Sequence, residues 1–351
     1  MIGDSMRVGI CGHFGGNEDF FDGQTVKTKN VYEALCNVLG DRNVSIVDTY
    51  SIKSRAFDVF FGTVRLFFTC DCIMMLPAHN GLKIFSPLFY ILKKLFKKKI
   101  FYSVIGGWLP KMVVDKPELK KYLKCFDGIF VETNAMKNSL VSFGFDNIVV
   151  IPNFKQLSVI SDDQLQTEPV YPLRLCTFSR VMKEKGIEDA IKAVETANRL
   201  LGHTVFALDI YGQVDKTQVE WFENLKNTFP EYVSYRGCVP FDKSVDVLKE
   251  YFALLFPTLF YTEGIPGTII DAYAAGIPVI SSKWESFDDI IDDAKSGFGY
   301  EFGNTQALIE VLQHISKDPD IILNMKEYCV HKAHDFLPQN AISHMISFME
   351  G

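Results

Sequence analysis

The chain has 351 residues, 48% of them hydrophobic and 23% charged, with a formal net charge of −7. At roughly 150 residues per domain this length predicts two domains, and the composition excludes a disordered, fibrous or small disulfide-stapled protein. The mild acidic excess hides an asymmetry: residues 1–155 carry 20 Lys and Arg against 14 Asp and Glu, whereas residues 156–351 carry 16 against 29.

In chain order, strand-like and helix-like segments alternate. A β-branched run at 7–11 leads through a glycine-rich stretch into a helical period at 26–39. Further strands are expected at 44–48, 73–76, 100–105, 128–132 and 148–151, with helices at 57–69, 87–98, 117–125 and 135–143 between them. Residues 156–171 lose this periodicity, gain polar residues and Pro169, and read as a linker. The rhythm restarts with strands at 173–178, 206–211, 233–235, 253–256 and 278–281. Helices are expected at 186–201, 221–229, 243–252 and 267–275, and in the segments from 305 onward. Strands separated by helices give right-handed βαβ units and parallel sheets. The expected fold is therefore α/β: two Rossmann-like doubly wound domains facing across a cleft, with a ligand at the carboxyl ends of the strands. The expected boundaries are 1–155, a linker at 156–171, 172–335, and a terminal segment at 336–351.

The eight cysteines lack C-x2-C spacing, and Cys11, Cys70, Cys72, Cys125 and Cys176 lie in or beside apolar runs. They read as reduced core cysteines of a cytosolic protein. The N-terminus lacks the basic–apolar–small order of a signal peptide, and no uncharged run of 18 apolar residues occurs. A soluble or at most peripheral protein is expected.

Three segments carry chemistry. In 11–25 (CGHFGGNEDFFDGQT), Gly12, Gly15, Gly16 and Gly23 would admit a ligand near the start of the first helix. This is neither G-x-G-x-x-G nor a P-loop, and such turns also occur in α/β folds that bind no nucleotide. In 178–186 (FSRVMKEKG), Arg180 and Lys185 follow a strand and precede a helix. A bidentate Arg, a point-charge Lys and helix N–H groups suit a diphosphate, although a solvated surface loop has the same composition. In 255–281, Glu263 occupies a Gly/Pro-rich turn and Asp271 lies about one turn into the following helix. The first N–H groups of that helix, at Gly267 and Thr268, are placed to meet a phosphate; Pro266 has none to give. Carboxylates beside an anion-binding helix end suit a nucleotide sugar, whose ribose and sugar hydroxyls donate to them. Complementing the helix dipole would explain Glu263 alone.

FSRVMKEKG, LDIYG (208–212), YRGCVP (235–240) and TEGIPGTIIDAYAAGIPVISS stand in the order and spacing of the GT-B glycosyltransferases of family 4. GGNEDFFDGQTVKT, VIGGWLP (104–110), VETNAMKNSL (131–140) and VIPNF (150–154) resemble the bacterial members that build capsular and exopolysaccharides. The resemblance implies a retaining hexosyltransferase that moves a sugar from a nucleotide diphosphate donor to a polysaccharide or lipid-linked oligosaccharide. It implies donor contacts from Arg180, Lys185, Gly267, Thr268, Asp271, Gly16 and Gly212. Within that set Arg180 and Lys185 would take the diphosphate, Glu263 the sugar ring and Asp271 the ribose. The family commonly has Glu where Asp271 stands. The last helix, around 341–349, would cross back to the N-terminal domain. No D-x-D acidic pair stands out, so no metal and no cofactor are expected. A sugar-nucleotide epimerase or hydrolase on the same architecture, or a non-catalytic membrane-binding partner of another transferase, are the competing readings.

On the acceptor side, His79 and the Gly106–Gly107–Trp108 run are candidates, with Trp108 serving as a sugar-stacking surface or as core. Segment 85–99 (FSPLFYILKKLFKKK) sets Lys93, Lys94, Lys97, Lys98 and Lys99 against apolar residues. This suits an anionic membrane surface, or a sheet-packed helix with solvated lysines. No basic stripe suits a nucleic acid. The expected location is cytoplasmic, at the inner face of the cell membrane if that segment touches lipid.

Overall fold

The computed structural model describes residues 6–16 and 23–351. It contains two compact units: Met1–Gln156 with Pro338–Gly351, and Leu157–Leu337. Residues 17–22 of the glycine-rich stretch lie outside the described residues.

The first unit runs β1 (Val8–Gly12), α1 (Gly23–Leu39), β2 (Val44–Asp48), α2 (Ala56–Thr69), β3 (Cys72–Leu76), α3 (His79–Phe96), β4 (Lys99–Ser103), α4 (Leu109–Asp115), α5 (Glu118–Leu123), β5 (Gly128–Val131), α6 (Asn134–Ser142) and β6 (Ile148–Val150). Its six strands pair in parallel in the order β2-β1-β3-β4-β5-β6. Strands β1 and β3 are buried along their whole length, as expected where helices cover both faces of a parallel sheet. The right-handed rule puts α1, which crosses from β1 outward to β2, on one face. It puts α2 and α3, which step the other way, on the opposite face.

The second unit runs β7 (Leu173–Phe178), α7 (Ile187–Leu201), β8 (Phe206–Tyr211), α8 (Val219–Lys226), β9 (Val233–Gly237), α9 (Ser244–Leu248), β10 (Ala253–Phe256), α10 (Gly267–Ala274), β11 (Val279–Ser282), β12 (Gly297–Tyr300), α11 (Thr305–Lys317), α12 (Asp320–Leu323) and α13 (Lys326–Ala333). The sheet order is β12-β11-β10-β7-β8-β9, again parallel. Helix α7 shows why the pattern works: Ile187, Ala190, Ile191, Val194 and Ala197 fall on one buried stripe, and Gly202 ends the helix in the left-handed conformation at φ 79°. Residues 157–160 lie against this unit, Ile160 donating its amide to the Ala274 carbonyl at 3.0 Å. The final helix, α14 (Pro338–Glu350), packs in the first unit, where Phe348 meets Phe101 and Phe130 edge-on.

The two doubly wound α/β sheets are those read from the alternation of elements, with local corrections. Helix α3 begins at His79, two turns before its expected start, and continues through Pro87. Its buried face (Leu82, Phe85, Phe89, Leu92) outweighs the one hydrogen bond that proline removes. His79 is thus the first residue of a helix rather than a loop residue. Helix α4 and strand β12 were not anticipated. In β12 a Cβ on Gly297 would stand 1.9 Å from the Val279 carbonyl oxygen, so glycine there reflects close strand approach rather than a turn. All eight cysteines are free thiols; six are buried, but Cys125 is exposed rather than in the core. Among the described residues no helix is long and apolar enough to cross a membrane.

Candidate functional site

In the second sheet the chain moves from β7 outward to β8 and β9, then returns to the other side of β7 for β10. The strand order therefore reverses between β7 and β10, and the loops leaving the carboxyl ends of these two strands stand at a topological switch point. The β7 loop carries Arg180 and Lys185; the β10 loop carries Glu263 and leads into α10. Gly186 closes the first loop at φ 69°, where a Cβ would stand 1.9 Å from the Pro257 oxygen. Only glycine lets the two loops touch here. The Leu259 amide, donating to the Glu184 carbonyl at 2.9 Å, fastens them together.

Across this junction Lys185 Nζ donates to both carboxylate oxygens of Glu263, and Thr258 Oγ1 donates to Oε2 at 3.5 Å. Both charged side chains are mostly buried, 17% and 15% exposed. The ammonium also lies 5.1 Å from the centroid of Phe260 and 5.7 Å from that of Phe256, so aromatic faces share its charge. Arg180 is not drawn into the pair. It is half-exposed and lies 3.7 Å from Asp215, a carboxylate held below its ordinary range chiefly by the Thr217 hydroxyl and amide.

Helix α10 starts at Gly267 after Pro266, with no side chain capping it. Its second residue, Thr268, holds a hydroxyl buried without a hydrogen-bond partner, a state that costs about 1–3 kcal/mol. Nothing stands within 4 Å of where a Gly267 Cβ would be. Asp271, one turn further on, is 4% exposed. Gly212 ends β8 with both backbone groups engaged: its amide donates to Gly237 and its carbonyl accepts from the Tyr235 hydroxyl, each at 2.9 Å. Among the described residues the group able to share a metal ion is Asp162, Glu327 and His331, all exposed. It lies on segments packed against the C-terminal end of α10, not its N-terminus.

The first sheet has its own switch between β1 and β3. Here the glycine-rich turn is held by Asp48 at the end of β2, which accepts from the amides of Phe14 at 2.9 Å and Gly16 at 2.8 Å. The Gly16 amide is therefore engaged within the turn. His79 and Trp108 come together, ring centroids 5.3 Å apart and edge-on, with Trp108 Nε1 donating to the Ile105 carbonyl at 2.6 Å. Gly106 adopts φ 76° beside the indole and Gly107 is buried. Of the five lysines, Lys93 pairs with Asp127 and Lys99 donates to the Met349 and Glu350 carbonyls. Lys94 lies 4.5 Å over Tyr90, while Lys97 is exposed and Lys98 half-buried.

Sequence reasoning missed several partners. Thr258 and Asp215 sit outside any quoted charge pattern. Lys27 and Glu132 lie within quoted motifs, yet their buried ion pair, which adds a bond from Lys27 to the Val104 carbonyl at 2.7 Å, joins positions 105 residues apart.

Two parallel doubly wound domains, the second with an ion pair and a helix start at its switch point, define a Rossmann-like α/β protein. Residues 164–334 match the family model described as glycosyl transferases group 1, which bears out over that stretch the resemblance carried by the motifs. The chain is 27% identical over 159 residues, 43% of this chain and 38% of the other, to the amylovoran biosynthesis glycosyltransferase AmsK of Erwinia amylovora. It is 24% identical over 221 residues, 60% of this chain and 52% of the other, to an uncharacterized glycosyltransferase of Methanocaldococcus jannaschii. In these two alignments this chain thus spans about two fifths to half of the relative's length. Its fold matches that of Anabaena HepE solved with UDP, with a TM-score of 0.78 at 12% identity over 98% of this chain and all of the other. The apo lipopolysaccharide outer core galactosyltransferase WaaB superposes with a TM-score of 0.72 at 17% identity, covering 98% and 99%.

Proposed function

We propose that the chain is a retaining glycosyltransferase that moves a hexose-type sugar from a nucleotide diphosphate donor to a polysaccharide or lipid-linked oligosaccharide, in exopolysaccharide assembly. The observation that carries this reading is the Lys185–Glu263 pair formed across the β7–β10 switch point beside the uncapped start of α10. A diphosphate entering there competes with Glu263 for Lys185. It also meets Arg180 and the amides of Gly267 and Thr268. As the bond from the sugar to the diphosphate breaks, negative charge grows on the leaving oxygen, and these donors stabilise it without needing a metal ion. Glu263, released from Lys185, accepts hydrogen bonds from the sugar, and Asp271 accepts from the ribose. Transfer on one face of the sugar, with no covalent intermediate, retains its configuration. The names of the similar proteins support the substrate class: one HepE structure holds UDP-glucose, and AmsK is described by amylovoran biosynthesis.

The test is a thermal-shift panel of uridine, guanosine, adenosine and cytidine diphosphate sugars, since a ligand bound only to the folded state raises its melting temperature. One member should stabilise the wild type, and both Arg180→Ala and Lys185→Ala should lose that shift. The sugar should then appear on an acceptor, in the presence of a chelator, rather than free or epimerised. No stabilisation by any member, or an unchanged shift in both variants, overturns the proposal.

A further inference from the structure

We propose that the outer face of α2 and α3 docks the first unit onto an anionic phospholipid bilayer. Helix α2 sets Phe57, Phe61, Val64 and Phe68 at i, i+4, i+7 and i+11, a single stripe. Helix α3 repeats that spacing with Ile84, Leu88, Ile91 and Leu95. The outer members of these stripes are turned away from the core, where Val59, Thr63, Leu66 and Phe67 of α2 and Leu82, Phe85, Phe89 and Leu92 of α3 are buried, while Val64 and Leu88 are half-buried at its edge. Phe57, Phe61, Phe68 and Leu95 are 80%, 65%, 69% and 70% exposed. Both helices lie on the same face of the sheet, and their C-terminal ends are held side by side by Phe68 against Phe96, centroids 4.7 Å apart, and Phe67 against Phe89 at 5.7 Å. The two stripes therefore run along neighbouring helices of one face, and Phe68 of the first reaches the end of the second helix. An exposed surface of that kind marks a contact site.

Charge selects the occupant. Residues 53–98 carry eight Lys and Arg against two acids. Each acid is already matched: Asp58 lies 3.8 Å from Arg55, and Asp71 lies 3.2 Å from Arg7. Exposed Arg65, Lys94 and Lys97 and half-buried Lys98 belong to the same two helices or the turn that ends the second. Phenylalanine and aliphatic side chains beside cations that outnumber the acids suit the boundary between acyl chains and anionic headgroups. The lysines alone do not describe this surface. Lys93 and Lys99 are held within the fold, and the anchor is the phenylalanine stripe of α2, which lies outside segment 85–99.

The experiment is co-sedimentation of the full chain with vesicles of phosphatidylglycerol and phosphatidylcholine in equal parts, and with phosphatidylcholine alone. The wild type should pellet with the anionic vesicles and be released by salt. The partition coefficient should fall at least roughly tenfold in the combined variant Phe57→Ser, Phe61→Ser, Phe68→Ser, and roughly a hundredfold in Lys94→Gln, Lys97→Gln, Lys98→Gln. Melting curves of both variants check the fold; if the first does not fold, the second decides. A wild type that stays in solution overturns the proposal, as does a serine variant that pellets like the wild type. A dimer that the serine substitutions dissociate, without vesicle binding, also overturns it and makes this face a contact between copies. The nucleotide-dependent shift should be the same in these variants as in the wild type, so failure here is separate from failure of the donor-site reading.

Discussion

Asp209 illustrates how a motif residue can serve the fold rather than the ligand. It is 7% exposed on β8 and accepts from Arg174 at 3.0 Å, Arg236 at 2.7 Å and the Tyr251 hydroxyl at 2.8 Å. Burial pushes its pKa up, but the hydrogen bonds from Arg174, Arg236 and Tyr251 outweigh it and hold the carboxyl below its usual range. A depressed carboxyl pKa contributes stability that is fully present above the unfolded value, near 4, and is lost as pH falls through the folded value. Asp209→Asn should therefore cost about 1–3 kcal/mol at pH 7, with the gap to wild type closing as the pH drops below about 4. Urea titrations at a series of pH values measure this; a gap that does not change with pH contradicts the charged network. The sequence shows Asp209 inside LDIYG and Arg236 inside YRGCVP, but not that they bind each other across 27 residues. Local pattern says which residues are unusual, while partner choice is settled by sheet register.

At the scale of elements, apolar runs with clear ends are the legible part. Strands 44–48, 173–178, 206–211 and 253–256 stand where their patterns put them. Misplaced elements are those whose residues send a contrary signal. His79, Asn80, Gly81 and Pro87 read as breakers, yet a buried face carries α3 through them; the glycines of β12 read as loop, yet close approach of β11 demands one of them. The candidate site divides in the same way. Loop 178–186 and helix α10 are legible because each combines glycine, charge and a helix start. The pairing of Lys185 with Glu263 is not, because it depends on β10 returning beside β7. That pairing separates the two acids of α10 and its loop. Glu263 is tied to the cation proposed to meet the leaving group, whereas Asp271 is buried a turn inside the helix and is proposed to hold the non-reacting ribose. Asp271→Ala should therefore raise donor KM with little change in kcat, and Glu263→Ala should lower kcat tenfold or more, roughly 1.4 kcal/mol of transition-state stabilisation. Steady-state kinetics with the donor found by thermal shift decides this; equal loss of kcat at unchanged KM in both variants contradicts the division.

For the molecule as a whole, net charge is a poor guide to where an anion binds. The acidic half, residues 156–351, carries the proposed diphosphate contacts, so attraction there rests on Arg180, Lys185 and a helix end acting at short range. Chain order is a poor guide to what completes a unit. Helix α14 follows the second unit in sequence but belongs to the first, where Ala341, Ile342, Met345, Ile346 and Met349 join Val8, Ile10, Phe101 and Phe130 in one buried cluster. Its amphipathic pattern is visible in the sequence, whereas its return to the first sheet is implied there only by the family resemblance, not by the pattern itself. At about 1.5–3 kcal/mol for each large side chain, its four large apolar residues contribute about 6–12 kcal/mol, an upper value because the unfolded chain already buries some of that surface. This is comparable to the whole stability of a domain, about 5–15 kcal/mol. Deleting residues 338–351 should therefore abolish amide-exchange protection in β1–β6 while leaving β7–β12 protected. Protection retained in β1–β6 would make the helix peripheral; protection lost equally in both sheets would show that the damage is not confined to the unit whose core it fills.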